Sequence, residues 1–338
     1  MIYKKILLIQ TAFLGDAILT TPLVRALRQT FPDSMIDIMV IPETAAVFKN
    51  NPNINNIVIY NKRKLVRKWL DLFSLLINIK RNKYDLAVSA QLSMRTSLIM
   101  WMSGIPNRLG FPRQKLKTMT IDLPKGLPVV KRYLKLMEAL TNVSFSYQTE
   151  VFWDEKTENA VSDLAGRYLK TNKLTVGIAP GSVWATKRWL PEYYSKLIRL
   201  LAERNIHSVL IGGKEDNKLC EEIAAESGLK PLNTAGKLSI QGSAALIKRL
   251  NLIVTNDSAP LHLANAVQTD VVAIFGPTVR IFGFFPFRKN DRVLEIGLKC
   301  RPCGKHGGKR CSLKHFSCMK SITPDMVFKS VLETLEMP

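Results

Sequence analysis

Short apolar runs alternate with amphipathic stretches from one end of the chain to the other. Residues 5–9 (Lys5-Ile6-Leu7-Leu8-Ile9) are apolar without a break after the lysine, the pattern of a buried strand. Residues 16–30 place Ala17, Ile18, Leu23, Val24 and Leu27 on one side of a helix. The same reading predicts strands at 36–41, 57–60 and 85–90 and helices at 65–79 and 93–102. At 142–149 the alternation lapses into the polar and aromatic run Asn142-Val143-Ser144-Phe145-Ser146-Tyr147-Gln148-Thr149, read as a connection between lobes. It restarts with strands at 174–179, 207–211, 252–255 and 271–275, and helices at 191–204, 216–227, 240–250 and 260–267. Thr323 and Pro324 supply the N-cap and first position of a terminal helix. Strands spaced by helices in this way are βαβ units with parallel strands. Two such series predict an α/β protein of two Rossmann-like lobes, residues 1–150 and 151–338, whose parallel sheets face each other across a cleft.

Charge is what sets this chain apart from an ordinary folded protein. Forty-nine Lys and Arg stand against 27 Asp and Glu, a net +22. Both lobes share it, with 22 basic and 9 acidic residues up to position 150 and 27 and 18 beyond. Such a field attracts polyanions, whether nucleic acid, an anionic membrane leaflet or a phosphorylated substrate. Met1-Ile2-Tyr3-Lys4-Lys5 runs straight into the first strand, without the features of a signal peptide, and no stretch reaches eighteen apolar residues. These features predict a cytosolic protein. Four of the five cysteines lie at Cys300, Cys303, Cys311 and Cys318, with His306 and His315 between them. That spacing leaves two readings open, a structural zinc site or reduced, packed thiols. Seven basic residues and no acidic one fall within 299–320.

In open parallel sheets ligands bind beyond the carboxyl ends of the strands, so the loops after strands are where chemistry is expected. The first runs from Gln10 and Thr11 to Gly15 and Asp16. Asp16 suits a helix N-cap, and it equally suits a general base kept ionised by the helix dipole. The second, 179–191, carries Gly181 and Ser182, then Lys187 and Arg188 between Trp184 and Trp189. Small, amide-rich backbone beside two cations is what phosphate binding needs, although a solvated basic loop fits the same residues. The third, Thr255-Asn256-Asp257-Ser258-Ala259-Pro260-Leu261-His262, presents helix-start amides at Ser258 and Ala259. Asp257 looks out of place beside a diphosphate, and His262 reads equally as a core histidine. The fourth, Gly212-Gly213-Lys214-Glu215-Asp216, offers Glu215 to ribose hydroxyls while Asp216 caps the next helix. No Asp-x-Asp motif occurs, so a leaving diphosphate would be met by cations and amides rather than by a held metal ion.

Taken in order, Gly15-Asp16, Pro180-Gly181-Ser182 through Lys187-Arg188-Trp189, and 255–262 followed by Ile274-Phe275-Gly276-Pro277-Thr278 resemble the ADP-heptose:lipopolysaccharide heptosyltransferases of glycosyltransferase family 9. The resemblance covers nearly the whole chain and runs nearest to the second heptosyltransferases. It implies a GT-B fold, metal-independent transfer with inversion and no cofactor. It also implies an ADP-heptose donor and, as acceptor, the acidic Kdo–lipid A inner core at the cytosolic face of an anionic inner membrane. By position it makes Asp16 the base, with Thr11 and Gly15 in its cleft loop. Lys187 becomes the phosphate lysine, assisted by Ser182 and Arg188. Glu215 goes to ribose, Leu238 to adenine, and Asp257, Ser258, Ala259 and His262 to the rest of the donor site. Similar cysteines in related transferases look structural. Other functions remain weaker fits. A transferase of another sugar would use the same loops, and a nucleotide-sugar sensor would lack Asp16. A nucleic-acid binder would not need strand-end phosphate loops and would carry a recognition motif that is absent here.

Overall fold

The computed structural model describes residues 3–61, 68–112, 116–122, 126–170 and 173–336, with backbone alone for 68–71. The chain divides into two compact units, Met1–Phe152 and Trp153–Pro338. In unit 1 the strands are β1 Lys5–Gln10, β2 Met35–Val40, β3 Asn56–Ile59, β4 Leu86–Ser89, β5 Asn107–Gly110 and β6 Met119–Thr120. They form one parallel sheet in the order β3-β2-β1-β4-β5-β6. Unit 2 repeats that order. Its strands are β7 Thr175–Ala179, β8 His207–Leu210, β9 Leu232–Asn233, β10 Leu252–Asn256, β11 Asp270–Phe275 and β12 Arg292–Glu295, arranged β12-β11-β10-β7-β8-β9. Each sheet therefore reverses its winding once, between β1 and β4 and between β7 and β10. Crevices at such reversals are where α/β sheets bind ligands.

The apolar strands do what their sequences require. β1, β4, β7 and β10 are buried almost throughout, which a parallel sheet covered by helices on both faces demands. In unit 2 the helix Pro191–Glu203 sets Leu197, Ile198 and Leu201 against Val176, Ile178 and Leu210, and the terminal helix Pro324–Thr334 adds Val327 and Val331. Thr323 caps that last helix as expected, its hydroxyl accepting from the Met326 amide.

Several expectations are revised. The helix anticipated at 16–30 is two helices, Leu14–Leu19 and Thr21–Thr30. Pro22 lacks the amide that a continuous helix would need there, so the chain restarts at Thr20. The helix expected at 65–79 is described as Lys68–Asn82, and residues 65–67, with the cations Lys62, Arg63, Lys64 and Arg67, lie outside the described residues. Residues 142–149 lie within unit 1 and follow the helix Thr21–Thr30. Arg25 donates to the carbonyls of Ser146 and Gln148 and pairs with Glu150. Strands β5, β6, β9 and β12, two of them only two residues long, carry no apolar run and were not anticipated. Among the described residues no helix is long and apolar enough to cross a membrane.

Candidate active site

In unit 1, Asp16 sits in the first turn of the helix Leu14–Leu19, at the carboxyl end of β1. It is not the N-cap. Phe13 holds that place and makes no side-chain cap. Gly15 likewise lies in the helical turn rather than in a free loop. The Asp16 carboxylate accepts a 2.9 Å hydrogen bond from the Tyr133 hydroxyl, on the helix Val129–Leu134. Burial raises the Tyr133 phenol well above its ordinary range, and the Asp16 charge pushes it further, so it stays a donor. Gln10, at the end of β1, donates to Thr20 at 2.8 Å, and the Thr20 hydroxyl in turn donates to the Asp16 carbonyl. These bonds tie the short helix to the strand. Thr11 donates to Gln91, just beyond β4, at 2.9 Å, so the two loops at the winding reversal are joined.

In unit 2 the loops after β7 and β10 meet, as their flanking of the reversal dictates. Asn256, wholly buried at the end of β10, donates to the Pro180 carbonyl at 2.8 Å and accepts from the Trp189 amide and the Tyr194 hydroxyl. This amide side chain locks the second loop onto the third. Lys187 then reaches Asp257, Nζ to Oδ2 at 2.6 Å, and Thr278 donates to the same oxygen at 2.6 Å. Asp257 is thus a counter-ion, which resolves how an acid can stand in a loop suited to phosphate. Ser258 is the N-cap of the helix Ala259–Ala266 but gives it no side-chain cap. Its hydroxyl turns back to the Asn256 carbonyl at 3.4 Å, so the side chain leaves the amides at the helix start uncapped. His262 is buried in that helix, and its Nδ1 meets no hydrogen-bond partner among the described residues. Burial, reinforced by the Lys187 charge, pushes its pKa down to about 4 although Asp257 acts the other way.

Arg188 is exposed and folds back on its own loop, donating to the Ser182 carbonyl at 2.8 Å. Ser182 is half-buried. Glu215 is exposed, its carboxylate over Gly213, in the loop after β8. Asp216 stands at the N-cap position of the following helix, as expected, but its side chain makes no cap there. Its carboxylate accepts from the Gly213 amide at 3.0 Å and fills the space where a Gly181 side chain would be, 2.3 Å from an added Cβ. Burial, the largest influence, raises its pKa. The Gly236 amide donates to the Gly212 carbonyl, drawing the loop after β9, which holds the half-buried Leu238, to the loop after β8. Ser182, Lys187, Glu215, Leu238, Asp257, Ser258 and Ala259 therefore all lie on the carboxyl edge of this sheet.

The segment 299–320 contributes what its charge alone does not indicate. Arg301 is almost wholly buried, and its guanidinium donates to the carbonyls of Phe275, Gly276, Thr278 and Ile296 and pairs with Glu295. It clamps the turn that carries Thr278 to Asp257. Gly308 exchanges hydrogen bonds with Thr186, next to Lys187. The cysteines are free thiols, Cys318 buried and Cys303 exposed, and Cys300 Sγ lies 3.9 Å from His315 Nε2. Among the described residues no group of three or more His, Cys, Asp or Glu is gathered as a metal site requires. Tyr133, Asn256, Thr278 and Arg301 went unassigned in the sequence. Asn256 and Thr278 lie inside quoted motifs, and for Asn256 a polar residue closing an apolar strand was the available signal.

Two Rossmann-like units, each with a parallel six-stranded sheet of one strand order, define an α/β fold of the GT-B-like kind. Residues 72–315 match glycosyltransferase family 9 (heptosyltransferase), and the chain belongs to that family of glycosyltransferases. It is 27% identical to lipooligosaccharide heptosyltransferase 2 of Campylobacter jejuni over 97% of this chain and 98% of that one. A family 9 glycosyl transferase of Veillonella parvula is similar in structure, with a TM-score of 0.88, 24% identity and coverage of 99% and 98%. The ADP-heptose LPS heptosyltransferase II of E. coli follows with a TM-score of 0.78, 23% identity and coverage of 98% of both chains.

Proposed function

We propose that this heptosyltransferase moves L-glycero-D-manno-heptose from ADP-heptose to the Kdo/heptose inner core of lipopolysaccharide, with inversion and without a metal ion, at the cytosolic face of the inner membrane. The observation that carries it is the Lys187–Asp257–Thr278 cluster beside the uncapped start of the helix Ala259–Ala266. A cation held in place by a counter-ion, next to helix amides, is preorganised for the diphosphate charge that grows as the sugar leaves. Asp16 takes the proton from the acceptor hydroxyl while that oxygen bonds the anomeric carbon. The bond from that carbon to the diphosphate breaks, its electron pair leaves with ADP, and a single direct displacement inverts the centre. Ser182 and Arg188 border the phosphates, Glu215 the ribose and Leu238 the adenine, and the unpaired Nδ1 of His262 meets a donor hydroxyl. The relatives with LPS and lipooligosaccharide in their names support the acceptor, and the E. coli enzyme's title supports the donor.

The test is transfer from ADP-, GDP- and UDP-linked sugars to Kdo-bearing lipid A, in buffer with and without EDTA. Transfer from ADP-heptose that is unaffected by EDTA is expected. Transfer from a UDP-sugar alone, or loss with EDTA that Mg²⁺ restores, would overturn the donor or the metal-free mechanism respectively.

A further inference from the structure

The helix Met94–Met102 carries apolar side chains on both its inner and its outer side, beside Arg95, Thr96 and Ser97. Ile99 and Met100 turn inward and share a core with Leu75 and Ile79 of the helix Lys68–Asn82, over Leu7, Ile9, Met39 and Ala87 of the sheet. Outward stand Met94, Leu98, Trp101 and Met102, spaced i, i+4, i+7 and i+8, with Met94 61% and Trp101 52% exposed. Phe73, 64% exposed, and Ile77 stand outward on the helix Lys68–Asn82. The two helices cover the same face of the sheet, so their outer sides turn the same way. Exposed apolar patches of this kind mark interaction sites.

Charge decides between partners. Lys80, Arg81, Lys83 and Arg95 are exposed, and from Lys68 to Gly104 the sequence holds two acids, Asp71 on the helix Lys68–Asn82 and, beyond that helix, Asp85. The Asp85 carboxylate is occupied by the Lys4 and Lys5 amides. A two-fold contact with a second copy would set this cationic face against itself, and like charges across an interface oppose association. An anionic bilayer satisfies both parts of the surface at once, its phosphates meeting the cations while its interface takes up Trp and Met. The surface also runs toward the site. The exposed Leu92 precedes this helix, and its neighbour Gln91 bonds Thr11 in the loop before Asp16.

We propose that the outer face of these two helices, with Phe73, Met94, Leu98 and Trp101 at its centre and Lys80, Arg81, Lys83 and Arg95 around them, docks unit 1 on an anionic phospholipid surface. Delivery of a lipid-anchored acceptor to Asp16 rests on the proposed function; the docking does not. The experiment is flotation of the full chain with vesicles free of glycolipid, made of phosphatidylcholine alone or mixed with phosphatidylglycerol. The chain floats with the anionic vesicles and is released as salt shortens the Debye length from about 30 Å to about 8 Å. Each cation replaced by Gln weakens partitioning about fivefold. Leu98→Ser with Trp101→Ser weakens it about tenfold or more, with unchanged thermal melting because both side chains are exposed. Wild-type partitioning by both sets of variants would overturn the proposal. So would a wild-type dimer in sedimentation that Trp101→Ser dissociates without altering flotation. Because the vesicles hold no acceptor, a failure of heptosyl transfer leaves this outcome untouched, and loss of flotation leaves transfer to a detergent-dispersed acceptor untouched.

Discussion

Lys187 and Asp257 are both largely withdrawn from water, with 12% and 8% of their side chains exposed. Removing one partner of such a pair strands the other charge, whereas removing both does not. Lys187→Ala is therefore expected to lower the melting temperature and to weaken ADP binding by roughly 1.5–3 kcal/mol. Lys187→Ala combined with Asp257→Asn should recover the melting temperature but not the affinity, which calorimetry and thermal denaturation separate. Asp16 and Tyr133 divide their work differently. Asp16→Asn should reduce kcat by about 10²–10⁴. Tyr133→Phe, which removes the bond that orients the carboxylate, should lower kcat by less and leave the donor KM unchanged. Steady-state kinetics decide, and a raised donor KM with unchanged kcat would remove Tyr133 from the proton-transfer step. His262 gives the pH dependence. Its pKa falls from 6.5 to about 4 on burial, so below 6.5 the unfolded chain takes up a proton that the folded chain refuses. Its contribution to stability is complete above 6.5 and lost as pH falls toward 4, with a slope approaching about 1.4 kcal/mol per pH unit. Urea titrations across that window should show the slope in the wild type, and His262→Gln should flatten it.

At the scale of elements, the break between Leu14–Leu19 and Thr21–Thr30 turns a helix start into a mount for Asp16. Pro22 forces the restart, and the Thr20 hydroxyl closes the first helix on the Asp16 carbonyl. In unit 2 the loops after β7 and β8 are knitted by Asp216 in the space beside Gly181. Gly181→Ala brings a methyl into that carboxylate, a clash expected to cost about 1–3 kcal/mol of stability and to weaken ADP binding. Adding Asp216→Ala to Gly181→Ala should relieve the stability loss in urea unfolding. The unanticipated strands β5, β6, β9 and β12 are short, and each buries few side chains. Hydrophobic periodicity speaks only for segments that must bury a face. β9 is two residues long and half-buried, so its sequence carries almost no signal.

Over the whole molecule, one plan is used twice. Each sheet has the strand order of a Rossmann unit, and each reversal gathers a group of polar side chains. Unit 1 gathers Thr11, Gln91, Asp16 and Tyr133, and unit 2 gathers Asn256, Lys187, Asp257 and Thr278. Net charge is high in both halves of the sequence, but its use differs by place. Arg301 is buried as a clamp, Lys187 is paired, and Lys80, Arg81, Lys83 and Arg95 are left exposed.

The sequence by itself determined the parallel α/β architecture, because buried strands and amphipathic helices have distinct periods. It also located the loops that carry Asp16, Ser182 and Lys187, Glu215, and Asp257 with Ser258, because each follows a strand and opens a helix. Only the tertiary structure decided what these residues do to one another. Asp16 and Tyr133 are 117 positions apart, and Lys187 and Asp257 are 70. Which loops become neighbours depends on strand order, which no local pattern records. The reading of Asp16 as an N-cap gave way for the same reason, and Asp216, though at the N-cap position, turns its carboxylate to the Gly213 amide instead. A side chain's role follows from the partner that the sheet brings to it, and periodicity reports only which way it faces.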